Sequence, residues 1–336
     1  MHRSFLLGAR AALFGLAALG AGGAYAVPAV PPIEHFFGNS PMGAAILSPD
    51  GRSLAVRLTV EGKRDGLAVI DLGSDKITNV AGFSDADVGQ FRWVNNQRLV
   101  LNTTNTQVAV GALRYWPGLF AVDRDGANFT QLASRHGNGR MAAGILPWNT
   151  VMLPQAGAQD SNNIYVLNGV GTYTGQFEHA TLRSVDTLTG RAVVVPGPEH
   201  VHTWLLDQRG EPRIAIAVEG ETSSVHHLDP GGEWRKISSY NTYTGAAGAF
   251  QPVAFGPDGT FYVESTAGKD KSALHAYDIK TGTVSSKPLV VSQEYDFDGK
   301  LIIGKDRLLG ARLVTDGEAT IWFDEQMKAV QKLVDE

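Results

Sequence analysis

The sequence contains no cysteine among its 336 residues. That absence excludes disulfides, zinc sites with thiolate ligands and a lipid anchor attached to cysteine. Charged residues are few, at 19%, and the net charge of −5 argues against a nucleic acid as partner. The composition, with 39 glycines, is typical of a globular chain long enough for one large or two medium domains.

The first 26 residues differ from the rest of the chain. Arg3 and Arg10 accompany a short apolar run, "AALFGLAALGAGG", and the small-x-small sequence "AYA" follows it. This order is typical of a secretory signal peptide at residues 1–26. A membrane anchor is the alternative, but spanning a bilayer needs about 20 apolar residues. We therefore expect a periplasmic or secreted protein with no membrane span after cleavage. The proline-rich segment that follows predicts an extended leader over residues 27–45.

A turn phrase recurs along the chain. "ILSPDGRSLAVRL" begins at Ile46, and "AFGPDGTFYVES" begins at Ala254. Proline followed two residues later by glycine suits a type I turn, and the flanking residues tend to alternate between apolar and polar as in strands. We interpret both phrases as the same outer-blade turn of a repeated unit. Asp50 and Asp258 are then turn residues and poor candidates for catalytic acids.

Six units of this kind can be counted, each with three or four predicted strands and a second turn after an aspartate. Their starts lie about 40–60 residues apart, a spacing typical of β-propeller blades. The starts are near Ser48, Trp93, Trp148, Leu206, Phe255 and Tyr295. The sequence therefore predicts an all-β fold, a β-propeller of about six blades (an incomplete seven) over residues 46–336. A pair of β-sandwiches is the alternative, and the best helical candidate is the tail from Asp324 to Glu336.

Three phrases go beyond a generic propeller: "IEHFFGNSPMGAAILSPDGRSLAVRL", "LAVIDLGSDKITNVAGFSDADVGQFRWVNNQRLVL" and "GLFAVDRDG". They resemble the N-terminal half of secreted bacterial serine peptidases of the prolyl oligopeptidase family, in its dipeptidyl aminopeptidase/acylaminoacyl peptidase branch. The resemblance covers about residues 33–330. It implies a propeller that filters access of peptides to a C-terminal α/β-hydrolase domain carrying Ser, Asp and His.

The nucleophile of that hydrolase lies in a G-x-S-x-G elbow, and no such motif occurs in this sequence. "GFSDA" at Gly82 has the first half of the motif and lacks the last glycine. Propellers of the family commonly have seven or eight blades. We therefore interpret the chain as the propeller portion of such a peptidase, truncated or split, lacking the hydrolase domain and inactive alone. The alternative is a stand-alone periplasmic propeller that binds a protein or peptide partner.

The sequence gives only weak indications of other catalytic, cofactor or metal sites. His200 and His202 would share one face of a strand, whereas His226 and His227 would point to opposite faces. With no carboxylate at useful spacing, we predict no metal site, no cofactor and no catalytic residue; Glu34-His35 is read as packing of the leader. A propeller enzyme with convergent carboxylates or metal ligands is a third possibility.

Two further groups are read as structural. The glycine-rich stretch Asn168 to Gly175 lacks the lysine of a phosphate loop and predicts a flexible loop. Trp93, Trp148 and Trp204 stand near unit starts and are predicted to pack between blades, with a pore-lining role as the alternative.

Overall fold

The computed structural model describes residues 42–60, 62–108, 117–135, 144–171, 177–245 and 248–336. The predicted signal peptide and Glu34-His35 lie outside these ranges. The described residues form six antiparallel sheets, each built from consecutive strands. This arrangement confirms the predicted all-β propeller with six blades.

The first three blades have four strands each. Blade 1 contains β1 (Met42–Leu47), β2 (Ser53–Leu58), β3 (Gly66–Asp71) and β4 (Ile77–Ala81). Blade 2 contains β5 (Asp87–Trp93), β6 (Arg98–Thr104), β7 (Leu119–Asp123) and β8 (Thr130–Ala133). Blade 3 contains β9 (Thr150–Met152), β10 (Asn163–Gly171), β11 (Phe177–Asp186) and β12 (Ala192–Val194).

The last three blades follow the same order, and blade 6 has three described strands. Blade 4 contains β13 (Val201–Leu206), β14 (Pro212–Glu219), β15 (Thr222–Leu228) and β16 (Trp234–Asn241). Blade 5 contains β17 (Gln251–Phe255), β18 (Phe261–Ser265), β19 (Ala273–Asp278) and β20 (Thr283–Val284). Blade 6 contains β21 (Gly299–Ile303), β22 (Leu308–Val314) and β23 (Glu318–Trp322).

First strands of successive blades contact one another, β13 with β17 and β17 with β21, so the first strands are innermost. The "PDG" turns join first and second strands and therefore lie on the inner hairpins. The prediction of a turn at these positions is right, but its placement in the outer part of the blade is wrong. The predicted unit starts mostly mark the end of a first strand, and β1 begins at Met42, inside the segment interpreted as leader.

Aspartates end the third strands and close the turn to the fourth. Asp186 Oδ1 accepts hydrogen bonds from the Leu188 and Thr189 amides at 2.9 and 3.0 Å. Asp278 does the same for the amides of Lys280 and Thr281. These bonds lower the pKa of both carboxyls, since they favour the charged form. The recurring aspartates are thus turn caps.

Apolar clusters fill the five junctions between successive blades. Trp93 is 1% exposed in the first junction and Trp204 is 4% exposed in the third. Their indole N–H groups donate to carbonyls of the preceding blade, Ile46 and Ala180. These two tryptophans confirm the predicted inter-blade packing. Trp148 is 39% exposed, so its predicted place in the core is wrong.

Blade 1 and blade 6 share no apolar cluster among the described residues. All six residues of β1 are exposed, unlike those of the other innermost strands. Met42 and Leu47 are 55% and 56% exposed, and Val314 and Ile321 of blade 6 are 44% and 42% exposed. The two end blades therefore present apolar side chains that no neighbouring blade covers in the described part of the chain.

A helix, α1 (Glu325–Asp335), follows blade 6 as predicted. Asp324 caps it, accepting a hydrogen bond from the Met327 amide at 3.0 Å. None of its residues is buried. Within the described residues, no helix has the length and apolarity that crossing a membrane requires.

Candidate functional site

The candidate site residues lie at the ends of the blades where the first strands begin. In blade 3, β10 is antiparallel to both β9 and β11, so β11 starts at the same end as β9. In blade 4, β13 starts at the same end, next to β11. Side chains just before or at the start of β11 and β13 are therefore brought together across the junction of blades 3 and 4.

Glu178, His179 and His200 meet at this junction. One potential ligand atom from each lies within 4.8 Å of the other two. The imidazole rings of His179 and His200 are 6.3 Å apart and nearly perpendicular. We call these three residues the junction cluster. Among the described residues, no other group of three or more His, Asp or Glu side chains approaches this closely.

The surroundings of the junction cluster are partly apolar. His179 and His200 are half-buried and Glu178 is exposed. The ring of His202 packs edge-on against Phe177, with centroids 5.0 Å apart. The Nδ1 atom of His179 is buried and has no hydrogen-bond partner in the described part of the chain. Such an atom is unusual, because buried polar atoms nearly always have a partner.

The backbone of His200 is also unusual, with φ at 55° in the left-handed region. Its carbonyl accepts a hydrogen bond from the Val218 amide at 3.0 Å, which holds the segment against β14. His200 therefore lies just before β13, so the strand on which the sequence placed it does not include it. Both rings nevertheless lie against the start of β11, His200 next to His179 and His202 against Phe177.

A second polar group lies where β5 begins. The Asp87 carboxylate accepts hydrogen bonds from the Asp65 and Thr106 amides at 2.9 and 2.8 Å, and from Arg64 at 3.2 Å. Burial would raise the pKa of Asp87, but these donors together lower it below its usual value. These hydrogen bonds hold together the loops at this end of blades 1 and 2. We therefore give the Asp87 carboxylate a structural role and no catalytic or ligand-binding one.

The other histidine pair is locally satisfied. His226 Nε2 is 2.9 Å from Ser224 Oγ, and His227 Nδ1 is 2.8 Å from Asp229 Oδ1. Arg235 and then His227 lower the pKa of Asp229 to about 2. Burial lowers the pKa of His227 despite this carboxylate, which favours the neutral imidazole. Nδ1 of that ring donates the hydrogen bond, and Asp229 accepts it. His226 and His227 share no ligand site in the described residues.

The remaining sequence candidates are structural. Asp50 accepts from the Ser48 hydroxyl at 2.6 Å, and Asp258 from the Thr260 hydroxyl at 2.8 Å, which confirms both as turn residues. Ser84 is exposed in a strand-to-strand connection, so "GFSDA" is no nucleophile elbow. Asn168–Gly171 ends β10, which corrects the loop prediction there; residues 172–175 lie outside the described residues.

Sequence reasoning missed Glu178 and His179 as partners of His200. The search for a carboxylate near His200-x-His202 was local, whereas the carboxylate comes from the neighbouring blade, 22 residues earlier in the chain. The adjacency of Glu178 and His179, two ligand-type residues in sequence, was a visible signal. Whether these two residues form a site with His200 depends on which strands begin next to each other in neighbouring blades.

A scan against protein-family models gives no match, and no curated protein matches the sequence significantly. Solved structures do match. A prolyl endopeptidase structure has a TM-score of 0.56 at 13% identity, covering 84% of this chain and 41% of that chain. The oligogalacturonate lyase of Vibrio parahaemolyticus has a TM-score of 0.50 at 10% identity, covering 84% and 77%. The acylaminoacyl peptidase of Pyrococcus horikoshii has a TM-score of 0.46 at 13% identity, covering 88% and 47%.

The chain thus spans less than half the length of the two peptidases it matches. At these identities the likeness concerns the fold. With its six consecutive sheets, the chain has the β-propeller fold, as found in the part of a prolyl endopeptidase that it matches.

Proposed function

We propose that this chain is the propeller portion of an exported peptidase of the prolyl oligopeptidase family. In this role it limits which peptides reach a hydrolase domain. The observation that carries the proposal is the coverage of the structural match. The match covers 84% of this chain but only 41% of a prolyl endopeptidase chain. The three sequence phrases that resemble the same family support it independently.

The physical basis of the gate is the arrangement of the blades around one axis. Hydrogen bonds within each sheet and apolar clusters between sheets fix the innermost strands around the axis. In the assembled peptidase, the passage we propose along this axis admits an extended peptide and excludes a folded protein. These residues contain no G-x-S-x-G motif, so we assign them no peptidase activity of their own.

The exposed apolar side chains of the end blades fit this proposal. Met42 and Leu47 of blade 1 and Val314 and Ile321 of blade 6 are surfaces that further polypeptide would cover. The remainder of the peptidase, or a separate hydrolase chain, is the occupant we propose. We also propose that the predicted signal peptide directs export to the periplasm or outside the cell.

The alternative is a stand-alone propeller that binds a protein or peptide partner. One observation favours it: the match to oligogalacturonate lyase covers 77% of that chain, so a propeller of this size can be most of a working protein. In that case the loops of one face would carry the binding residues.

The test is the intact mass of the protein in the exported fraction of its source cell, with a serine-hydrolase probe present. A labelled species about twice the 35.9 kDa of this chain, or a labelled partner that co-purifies with it, supports the peptidase proposal. An unlabelled species slightly below 35.9 kDa without such a partner overturns it and favours the stand-alone propeller.

A further inference from the structure

The junction cluster has the composition of a transition-metal site. Two imidazoles and one carboxylate are the ligand set of many zinc centres, in which a fourth position stays open to water or another ligand. Magnesium and calcium prefer sites made of oxygen ligands, so this set favours zinc and its first-row neighbours. Neither the fold match nor the proposed gating role requires such a site.

The distances suit a site that closes around an ion. The three ligand atoms lie within 4.8 Å of one another. Bonds of about 2.0–2.1 Å in tetrahedral geometry would set them about 3.4 Å apart, so they need to approach by at most about 1.4 Å. Glu178 is exposed, so its flexible side chain is free to make this approach, and His179 and His200 are half-buried.

His179 supplies a second, independent observation. Its Nδ1 is buried and lacks a hydrogen-bond partner among the described residues. A second shell normally satisfies one ring nitrogen while the other binds the metal, and a ring with an unsatisfied nitrogen has capacity for a ligand. The only other unpartnered buried side-chain atoms in the described ranges belong to Arg57 and Arg135, which are cations and cannot ligate.

We propose that Glu178, His179 and His200 bind one divalent transition-metal ion of the zinc class. Two ligands come from β11 of blade 3 and one from the residue before β13 of blade 4. The ion ties the two blades together at the end where the first strands begin. Because it binds the folded chain in preference to the unfolded one, it stabilises the propeller by an amount that rises with the logarithm of its free concentration above the dissociation constant.

The experiment uses the full chain without a polyhistidine tag, stripped of metal with a chelator. Zinc chloride is titrated by calorimetry, and thermal melting is recorded with and without zinc. We expect one ion per chain, a dissociation constant in the micromolar range or tighter and a higher melting temperature with zinc. Magnesium chloride should do neither. Cobalt(II) provides a spectroscopic check, since tetrahedral coordination gives strong visible bands.

Three variants test the ligands. Glu178→Gln, His179→Gln and His200→Asn should each weaken zinc binding by at least about tenfold. Asparagine is chosen at position 200 because it tolerates the left-handed backbone. His226→Gln, a half-buried histidine of the same blade as His200, is the matched control and should leave binding unchanged.

Stoichiometry below one ion per chain, or equal zinc affinity in the wild type and the Glu178→Gln variant, would overturn the proposal. Glu178 is exposed, so this variant folds even where a histidine variant does not. The outcome is independent of the serine-hydrolase labelling, since zinc binding is measured on the isolated chain.

Discussion

Arg98 of blade 2 and Thr187 of blade 3 are joined by two hydrogen bonds across the junction between their blades. Arg98 Nε donates to Thr187 Oγ1 at 2.9 Å, and Nη2 donates to the Thr187 carbonyl at 2.6 Å. The same guanidinium pairs with Asp123 at 2.6 Å. Arg98 is 1% exposed, so one buried cation fastens the second blade to the turn of the third.

Replacing Arg98 by methionine should lower the free energy of unfolding by about 3–5 kcal/mol, because it removes one partner of a buried ion pair. Asp123 Oδ1 and the Thr187 carbonyl would lose the donor that Arg98 supplies, although Asp123 Oδ2 keeps its bond from Asn128. Denaturant unfolding of the purified chain measures the loss. Arg209→Met, at an exposed arginine of blade 4, is the control and should stay within about 0.5 kcal/mol of the wild type. Equal stability of the two variants would contradict the role assigned to Arg98.

Asp87 should make the propeller sensitive to acid. Its pKa is lowered in the folded chain, because hydrogen bonds from Thr106, Asp65 and Arg64 outweigh the effect of burial. A carboxyl with a depressed folded pKa contributes stability above its unfolded pKa of about 3.9, and that contribution is lost as the pH falls through the folded pKa. Asp87→Asn should therefore lose about 2–3 kcal/mol at pH 7 and show a shallower decline of stability below pH 4.

The control for Asp87 is Asp270, whose side chain is 93% exposed. Asp270→Asn should change neither the stability at pH 7 nor its dependence on pH. Thermal melts from pH 2.5 to pH 7 separate the two variants. Parallel curves for the wild type and Asp87→Asn would show that the carboxylate contributes nothing.

Glycine is required in blade 4 for two different reasons, which Gly210 and Gly220 illustrate. Both have positive φ, 75° and 58°. A Cβ on Gly210 would lie 2.2 Å from the Ala158 amide nitrogen of blade 3, whereas a Cβ on Gly220 meets nothing within 4 Å. Gly220→Ala should cost about 1 kcal/mol for backbone strain alone, and Gly210→Ala about 3 kcal/mol or more because the two blades must separate. Unfolding curves that rank the two variants equally would contradict the close approach.

The sequence predicts the repeat well and the junctions poorly. Turn phrases, alternating strands and aspartates after third strands are local patterns, so six blades and the roles of Asp50 and Asp258 follow from them. Trp148 has the same position near a unit start as Trp93, yet it is exposed. Whether such a side chain packs depends on the neighbouring blade, which no local pattern specifies.

The junction cluster shows the same limit. Periodicity places His200 and His202 on one strand, but His200 has a left-handed backbone and lies just before β13. The partners of His200, Glu178 and His179, come from the third strand of the preceding blade. Their proximity follows from the packing of β11 against β13 across the junction of blades 3 and 4, which no local sequence pattern specifies.

The outer strand of blade 6 should make the isolated chain associate. Strand β23 pairs with β22 on one side, and no described strand pairs with its other side. Its side chains are mostly exposed, Ile321 at 42%, and Val314 of β22 adds to the apolar surface at 44%. The outer strands of the other blades also have one free edge, but blade 6 has in addition a face that no described blade covers, and exposed apolar residues on such a face beside a free edge recruit further chains.

We therefore expect the apparent mass in light scattering to rise with protein concentration, and the rise to be reduced in Ile321→Lys. Val193→Lys is the matched control, since Val193 is 55% exposed on the outer strand of blade 3, a blade with neighbours on both sides. That variant should associate like the wild type. A wild-type chain that stays monomeric at every concentration would mean that the end blades are protected without a partner, and it would favour the stand-alone propeller.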